Sequence, residues 1–346
     1  MSVWKHSNRY THNISEEYQT TLGEGGTPLV RSRSIGPAAG LKNLFFKLES
    51  GNPTGSYKDR FAAVAISDML RNGDHTCLAT SSGNTGAALA AYCAAAKIRC
   101  RIAVVETAPL AKLQQMLAYG AEIERVRGFG LDASVTQSVI ETLHQKAAES
   151  GYALQVSAFR WSPVGMEGVQ SIAHELPQEV DHVFSPAGGG GLTLAVGRGL
   201  ADTPTSVHCV QPEGNDTIAG PLRKGLAHAR DVECTSQISG LQVANVIDGD
   251  EVIVTCRKSG GTGHTVTDEE VYQAQARLAR EEGIFSEPAG AVALAGILQA
   301  TENGEIEKEE SVVALVTGSG FKDATSIELL NANSSCRLVD LTDLFA

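Results

Sequence analysis

The sequence predicts an α/β protein of about two domains. Apolar, β-branched runs alternate with alanine- and leucine-rich stretches of helical spacing, which is the order of elements typical of α/β folds. The 346 residues suffice for about two domains, and a hydrophobic content of 42% allows a large core. Several of the 36 glycines stand in clusters between a predicted strand and a predicted helix. Such clusters indicate loops that approach a ligand closely.

The predicted elements fall into two series. A strand over 44–48 and a helix over 61–70 come first. A compact block from about 63 to 160 then contains strands over 77–80, 101–105 and 123–126 and helices over 85–96, 110–119 and 132–150. The second series has strands over 182–185, 206–211, 251–256 and 312–317 and helices over 192–200, 268–282 and 289–300. The stretch 214–236 has the weakest pattern and is predicted to be a loop or lid.

Composition excludes several classes of partner. A net charge of −12 argues against nucleic-acid and membrane-surface partners, because both are anionic. No stretch approaches the roughly 18 apolar residues of a membrane span, and the N-terminus lacks the apolar core of a signal peptide. A cytoplasmic location is therefore expected. The seven cysteines form no CxxC pair, which favours reduced thiols over a disulfide framework or a zinc site.

Lys58 is the first candidate catalytic residue. It lies in the segment SGNPTGSYKDR (50–60), where a glycine- and proline-containing loop passes from a strand into a helix. The positive end of the helix and partial burial would disfavour its ammonium form. A neutral lysine amine is what a Schiff base with an aldehyde requires. The alternative is a solvated lysine in an ordinary first helical turn.

Two further glycine-marked loops also stand between a strand and a helix. In TSSGNTG (80–86), hydroxyl groups and free backbone N–H groups at the helix start form a natural carboxylate site, and Asn84 adds a donor and an acceptor. Simple capping of the helix is the alternative reading. In SPAGGGGLT (185–193), four consecutive glycines leave successive N–H groups free to surround a phosphate. That loop is neither a Walker loop nor a GxGxxG dinucleotide fingerprint, and its alternative is a flexible turn.

Two loops near the end of the chain complete the set. In GIFSEPAGA (283–291), Glu287 precedes a helix and is expected to be a partner of the helix dipole rather than a catalyst. In VTGSGFKD (316–323), Thr317 and Ser319 follow the last strong strand, at the edge of the sheet where ligands bind in open α/β folds. Together the loops require an aldehyde, a phosphate, a ring with polar edges and a carboxylate substrate. Pyridoxal phosphate with an amino acid meets all four requirements.

These motifs and their order resemble those of the fold type II pyridoxal-phosphate enzymes. Within that superfamily the chain is most similar to threonine synthases, on the evidence of LGEGGTPLV (22–30), SYKDR, EEGIFSEPAGA and TGSGFKD. The resemblance implies two open, twisted-sheet α/β domains like those of the tryptophan synthase β-subunit, with the active site between them. Residues 1–62 and 161–346 would form the larger, cofactor-binding domain, and 63–160 the smaller, mobile one. It also implies a homodimer.

The resemblance further implies roles for individual residues. Lys58 would be the Schiff-base lysine and the acid/base. The residues that would bind the cofactor are Lys58, Asn84, Gly188, Gly189, Gly190, Gly191, Leu192 and Thr317. The residues that would bind the substrate are Ser81, Ser82, Gly83, Thr85 and Arg160. No metal ligand is predicted.

The chain also departs from the threonine synthase pattern. Its phosphate loop reads GGGGL, as in amino-acid dehydratases and serine racemases, instead of roughly GNAGN. Gly165 stands where an arginine for the substrate's phosphate is expected, and Arg160 could supply that charge instead. Threonine synthase is the first candidate function. The alternatives, in order, are L-threonine or L-serine dehydratase, a β-replacement synthase of the cysteine or cysteate kind, and a non-catalytic amino-acid sensor. The missing dinucleotide fingerprint counts against a nicotinamide dehydrogenase.

Overall fold

Two β-sheets form the framework of the protein. The structure, a computed structural model, describes residues 2–344. In this part of the chain the strands are β1 (Leu29–Arg31), β2 (Asn43–Leu48), β3 (Thr76–Ala79), β4 (Arg99–Val105), β5 (Glu122–Val126), β6 (Tyr152–Leu154), β7 (His182–Pro186), β8 (Ser206–Pro212), β9 (Gly263–Val266) and β10 (Ser311–Val316). The helices are α1 (Ile35–Ala38), α2 (Lys58–Asn72), α3 (Asn84–Ala96), α4 (Leu110–Ala118), α5 (Ala133–Ala147), α6 (Pro163–His174), α7 (Gly191–Gly199), α8 (Ala219–Arg223), α9 (Gly249–Lys258), α10 (Asp268–Glu282), α11 (Pro288–Glu302) and α12 (Ala324–Leu330).

The strands pair almost entirely in parallel. The larger sheet has the order β1-β2-β10-β7-β8-β9, and the smaller has the order β5-β4-β3-β6. Only β1 runs antiparallel to its neighbour among the strands paired in the described chain. Parallel strands need helical crossovers, and they bring the carboxyl ends of their strands to one edge of the sheet. The predicted α/β fold class is confirmed.

Most predicted elements begin and end within two or three residues of their predicted bounds. The clearest case is α10, which matches the predicted bounds of 268–282. At its start, Thr267 and Glu270 form a reciprocal capping box, so two N–H groups without helical partners are satisfied. At its end, Gly283 adopts a left-handed conformation with φ of 70°. Local signals at both ends therefore fix this helix.

The predicted strand over 251–256 is wrong, because these residues lie in helix α9. The run EVIVTC is rich in β-branched residues, which favours a strand. In the structure Val252, Ile253 and Cys256 are fully buried on one face of the helix. Acidic residues in the first turn and basic residues in the last turn also favour a helix, because they complement its dipole. Tertiary burial and end charges thus outweigh intrinsic strand propensity.

Several elements were not predicted from the sequence. They are the short strands β1, β6 and β9 and the helices α1, α6, α8 and α12. In the predicted lid, 214–236, only the five-residue helix α8 is regular α-structure. The strands and the helices α1, α8 and α12 carry too few residues to show a period, whereas α6 has 12 residues and its glycines weaken the helical pattern.

Helices α2 and α6 pack unusually closely through glycines of α6. A Cβ atom at Gly165 would lie 2.6 Å from Cε2 of Phe61 and 2.9 Å from Cβ of Ala65. One at Gly168 would lie 2.1 Å from the carbonyl oxygen of Arg60. Any side chain at these positions would force the two helices apart. The close approach places the start of α2, with Lys58, against the loop that precedes α6.

A buried ion network fixes the first turn of α2. The guanidinium of Arg60, fully buried, donates to both carboxylate oxygens of Glu49 at 2.7 and 2.9 Å and to both of Glu175 at 2.6 and 2.8 Å. Lys47 Nζ donates to Glu175 at 2.6 Å. Bidentate pairs of this kind are geometrically specific as well as strong. Arg60 therefore ties the helix that begins with Lys58 to the end of β2 and to the end of α6.

Among residues 2–344, no helix is both long enough and apolar enough to cross a lipid bilayer.

Candidate active site

The loops that follow β2, β10 and β7 meet at the carboxyl edge of the larger sheet. The N–H group of Tyr57 donates to the carbonyl of Thr317 at 3.0 Å, and that of Ser319 donates to the carbonyl of Gly55 at 2.9 Å. Gly55 has a φ of 91°, a conformation that favours glycine. These bonds join the loop before Lys58 to the loop after β10, as the sequence-based interpretation requires.

Lys58 begins α2 and lies beside the glycine loop. Its Nζ atom donates a hydrogen bond to Oγ of Ser157 at 2.8 Å and lies 4.6 Å from the centre of the Tyr57 ring. The carbonyl oxygen of Ser157 is 3.1 Å from the position that a Cβ atom of Gly191 would occupy. Ser157 therefore links the candidate Schiff-base lysine to the candidate phosphate loop.

The glycine loop presents a row of unused N–H groups. Within residues 2–344, the N–H groups of Gly188, Gly189, Gly190, Gly191 and Leu192 donate to no other group of the chain. The two carbonyl groups at 188 and 189, in contrast, are engaged, by Gln211 and by the amide of Asp248. Five free donors at the start of α7 are suited to the oxygens of a phosphate.

Backbone geometry explains why the loop consists of glycines. Gly190 has a φ of 95°, and a Cβ atom there would lie 2.9 Å from Cγ2 of Val252. A Cβ atom at Gly191 would lie close to Ser157 and Met166. Side chains at these two positions would thus collide with Val252, Ser157 or Met166.

Asn84 and Glu287 form a pair across the cleft between the two sheets. Nδ2 of Asn84, at the start of α3, donates to the two carboxylate oxygens of Glu287 at 2.9 and 3.1 Å. The N–H group of Glu287 donates to the carbonyl of Gly318 at 3.1 Å. Glu287 makes no capping hydrogen bond to α11 with its side chain. The expected role for Glu287, that of a helix-dipole partner, is thus not the one its contacts indicate.

The environment of Glu287 favours its neutral form. Burial raises the pKa of Glu287 to about 7, against the opposing effects of the hydrogen bond from Asn84 and the charge of Lys322. Burial also raises the pKa of Asp59, next to Lys58, to about 7. Burial therefore disfavours the charged form of two carboxyl groups near the candidate site. Perturbed carboxyls in a cleft are typical of functional sites.

The predicted carboxylate loop lies at the start of α3. Gly83 is the N-cap, and no side chain caps the helix. Oγ of Ser81 accepts the N–H group of Gly83 at 3.2 Å, and the side chains of Ser82 and Thr85 are partly exposed. In the described part of the chain, the N–H groups of Asn84 and Thr85 donate to no residue. The helix start therefore has donors free for a carboxylate, and simple capping does not account for the serines.

The other two predicted residues differ in their surroundings. Thr317 is buried at the end of β10, where its carbonyl holds the loop of Lys58. Arg160 is exposed, and its guanidinium lies over the ring of Trp161 at 5.3 Å. The N–H group of Arg160 donates to Asp248, next to the glycine loop. The structure thus brings the Arg160 backbone to the site, while the charged group lies over Trp161.

The residues present fit pyridoxal phosphate. A lysine amine stands beside five free amide donors, and an asparagine and a buried hydroxyl residue flank the same cleft. Sequence reasoning missed Ser157 and gave Glu287 the wrong partner. No signal marks Ser157, because its contact with Lys58 joins distant parts of the chain.

Comparisons with known proteins agree with this assignment. The chain is 32% identical over 341 residues to the threonine synthase of Methanocaldococcus jannaschii, covering 93% of this chain and 81% of that protein. It is 32% identical over 324 residues to the threonine synthase of Halalkalibacterium halodurans, covering 90% and 87%.

Solved structures agree in fold. Threonine deaminase isoform 2 from Solanum lycopersicum matches with a TM-score of 0.76 at 21% identity, over 94% of this chain and 96% of that one. Serine racemase from Dictyostelium discoideum matches with a TM-score of 0.70 at 24% identity, over 85% and 92%.

The comparisons confirm several of the sequence-based predictions. They are the fold type II architecture, the enzymatic nature of the protein as a lyase, and the cofactor, pyridoxal phosphate. The family of pyridoxal-phosphate dependent enzymes matches residues 20–318, nearly the whole chain. The chain belongs to that family.

Proposed function

We propose that the protein is a threonine synthase, which converts O-phospho-L-homoserine and water into L-threonine and phosphate. The observation that carries the proposal is the placement of Lys58 beside the five free amides of the glycine loop, through Ser157. The similarity to threonine synthases over most of the chain supports the choice of reaction.

Each residue of the site has a proposed task. The amides of Gly188 to Leu192 hold the cofactor's phosphate, and Asn84, oriented by Glu287, faces the cofactor ring. The bound cofactor withdraws electrons from the substrate's α-carbon. Lys58 Nζ holds the cofactor and moves protons at the α- and β-carbons. Ser157 Oγ accepts a hydrogen bond from that amine and orients it.

The substrate's carboxylate binds at the start of α3 in this proposal. Ser81, Ser82, Gly83 and Thr85 surround that helix start, where the N–H groups are free. Thr317 would stand near the ring nitrogen of the cofactor, and a hydroxyl there would not force that nitrogen to be protonated. Loss of the γ-phosphate and addition of water at the β-carbon then complete the reaction.

Product assays with the cofactor-loaded protein test the proposal. O-Phospho-L-homoserine should release phosphate and form threonine in equal amounts, and Lys58→Ala should abolish both. Reactions without substrate, and reactions in buffer without phosphate, serve as controls. Failure to release phosphate, with the cofactor shown spectroscopically to be bound, would refute the reaction and leave the family membership intact.

A second candidate, L-threonine or L-serine dehydratase, is favoured by one specific observation. Gly165, where a phosphate-binding arginine is expected, packs against Phe61 and Ala65 so closely that no larger residue fits. Arg160 has its guanidinium over Trp161. A substrate without a phosphate group needs neither an arginine at position 165 nor the guanidinium of Arg160. Formation of ammonia and a 2-oxo acid from threonine or serine, with O-phospho-L-homoserine inert, would establish this reaction. β-Substituted serines would test the β-replacement alternative.

Three further features belong to the proposal. Residues 1–62 and 161–346 form the larger domain, and 63–160 form a smaller one that moves when substrate binds. Support comes from the strands, because all four of the smaller sheet lie between Thr76 and Leu154. The protein acts as a cytoplasmic homodimer on a small amino acid. Light scattering of the cofactor-loaded protein tests the dimer, and small-angle scattering with and without substrate tests the movement.

A further inference from the structure

Helix α4 stands between the smaller sheet and the loops of the candidate active site. It connects β4 to β5 in the smaller sheet. Sδ of Met116, which is buried, lies 2.7 Å from the position that a Cβ atom of Gly86 would occupy. Gly86 follows Asn84 and Thr85 in the first turn of α3. Because this contact leaves no free space, we expect α4 and the predicted carboxylate loop to move together.

Gln115, the neighbour of Met116, bonds to two loops of the larger sheet. Its Nε2 atom donates to the carbonyl of Thr54 at 3.1 Å, and its Oε1 atom accepts from Nζ of Lys322 at 2.6 Å. Only this orientation of the amide satisfies both partners, because an ammonium cannot accept a hydrogen bond and a carbonyl cannot donate one. Thr54 precedes Lys58 in the loop after β2, and Lys322 lies in the loop after β10. One amide group therefore ties α4 to both loops.

The surroundings of Lys322 make this tie costly to lose. Its Cε atom lies 3.3 Å from the position of a Cβ atom at Gly55, so the side chain packs against the loop between β2 and α2. Burial lowers the pKa of Lys322, and the charges of Glu287 and Asp59 oppose that effect. Among residues 2–344, Gln115 is the hydrogen-bond acceptor of its ammonium group. Hydrogen bonds to charged groups contribute more than those between neutral groups.

A second side chain on the same face of α4 makes parallel contacts. Nζ of Lys112, three residues earlier, donates to Oγ of Ser239 and lies 3.4 Å from Oδ2 of Asp323. The segment that contains Ser239 also reaches the glycine loop, since Cγ2 of Val243 lies 3.1 Å from the Cβ position of Gly188. The contacts of α4 thus extend to three loops around the cofactor cleft.

We propose that Gln115 is a positioning residue, which fixes the predicted carboxylate loop at the start of α3 relative to Lys58. In the proposed function residues 63–160 move when substrate binds, and the role of Gln115 rests on that movement. While both of its hydrogen bonds hold, one small substrate reaches the carboxylate loop and Lys58 together. Without them α4 and the carboxylate loop move away from Lys58, and the substrate loses one of its two contacts.

Substitution of Gln115 by methionine in the cofactor-loaded full chain tests the proposal. Methionine keeps the length and the helix propensity of glutamine but makes neither hydrogen bond. Gln114→Met is the matched control, because Gln114 is the preceding residue of α4 and its side chain is exposed. Thermal melts verify that both variants are folded. Gln115→Met should raise the KM for O-phospho-L-homoserine about tenfold and change kcat less than about threefold, because the lost contacts align the substrate and move no proton.

Hydrogen exchange supplies a readout that needs no turnover. In Gln115→Met the peptide over residues 52–58 should exchange about five times faster than in wild type, and in Gln114→Met it should exchange at the wild-type rate. Lys322→Met removes the other partner of the same hydrogen bond. The effect of the double variant on exchange should therefore be smaller than the product of the two single effects.

The two readouts separate failure of the reaction from failure of the positioning role. If wild type forms no threonine from O-phospho-L-homoserine, the proposed reaction is wrong, and the exchange rates still decide the role of Gln115. That role is overturned if the folded Gln115 variant exchanges like the Gln114 variant, or if the effects of Gln115→Met and Lys322→Met multiply as independent ones. An unchanged KM in an active enzyme would overturn it as well.

Discussion

Replacing Glu287 with glutamine should make the stability of the folded protein fall less as pH rises. The folded structure buries this carboxyl group and raises its pKa from 4.5 to about 7. In the unfolded chain the group ionises near its ordinary pKa. Between these two values the unfolded state releases a proton that the folded state keeps, so stability falls as pH rises. Glutamine has no proton to release, and its side-chain oxygen can still accept a hydrogen bond from Asn84.

The size of the effect follows from the pKa shift. One pKa unit corresponds to about 1.4 kcal/mol, so the full penalty above neutral pH is about 3 kcal/mol. At about pH 5 most of that penalty has not yet developed, and at about pH 8 it is complete. The stability of Glu287→Gln relative to wild type should therefore increase by about 2 kcal/mol between those values. Asp59 has a similarly raised pKa, so a pH dependence remains in the variant.

Urea unfolding followed by circular dichroism measures this difference. Wild type, Glu287→Gln and Glu328→Gln are compared at both pH values with saturating pyridoxal phosphate, and Glu328 serves as an exposed control on α12. The control should follow the wild type. A stability difference that is the same at both pH values, or that favours the wild type at the higher one, would refute the reasoning.

Three further substitutions have defined outcomes. Lys58→Ala should remove the visible absorbance of the bound cofactor and lower kcat at least about 1,000-fold, and a variant that keeps both would exclude Lys58 as the catalytic residue. Gly190→Ala should raise the dissociation constant of pyridoxal phosphate about tenfold, because φ is 95° and the new Cβ meets Val252. The control is Gly225→Ala, which is also at positive φ but in open space, and it should leave cofactor affinity unchanged. Gly165→Ala should cost about 1–3 kcal/mol in unfolding free energy, because it forces α2 and α6 apart, and a neutral result in chemical denaturation would contradict that packing.

Local signals in the sequence were sufficient for most of the fold. The bounds of α10 follow from its capping box and from Gly283, both of which can be read without a structure. Helix α9 was taken for a strand because its β-branched residues favour extended backbone, while the burial that makes it a helix comes from distant parts of the chain. Helix α6 was not predicted, and single glycines such as Gly165 and Gly168 weaken a helix, so nothing local indicated the close helix contact.

The same distinction applies to the candidate site. Lys58, Asn84 and the glycine loop stand in recognisable local contexts at strand–helix junctions. Ser157 does not, since its role depends on a contact with a lysine 99 positions earlier. Glu287 was misread because a glutamate before a helix normally acts on that helix, whereas here its carboxylate faces Asn84 on another element.

The central place of β10 has a consequence for how the protein is made. This strand leaves the ribosome last of all the strands described, yet it lies between β2 and β7, with Ser311 paired to Asn43. Until it arrives, both neighbours present open edges that can pair with other chains. A product of premature termination before Ser311 would contain Lys58 and the glycine loop but could not bring them together. Such fragments would be inactive and prone to aggregation, and correct assembly has to wait for the last part of translation.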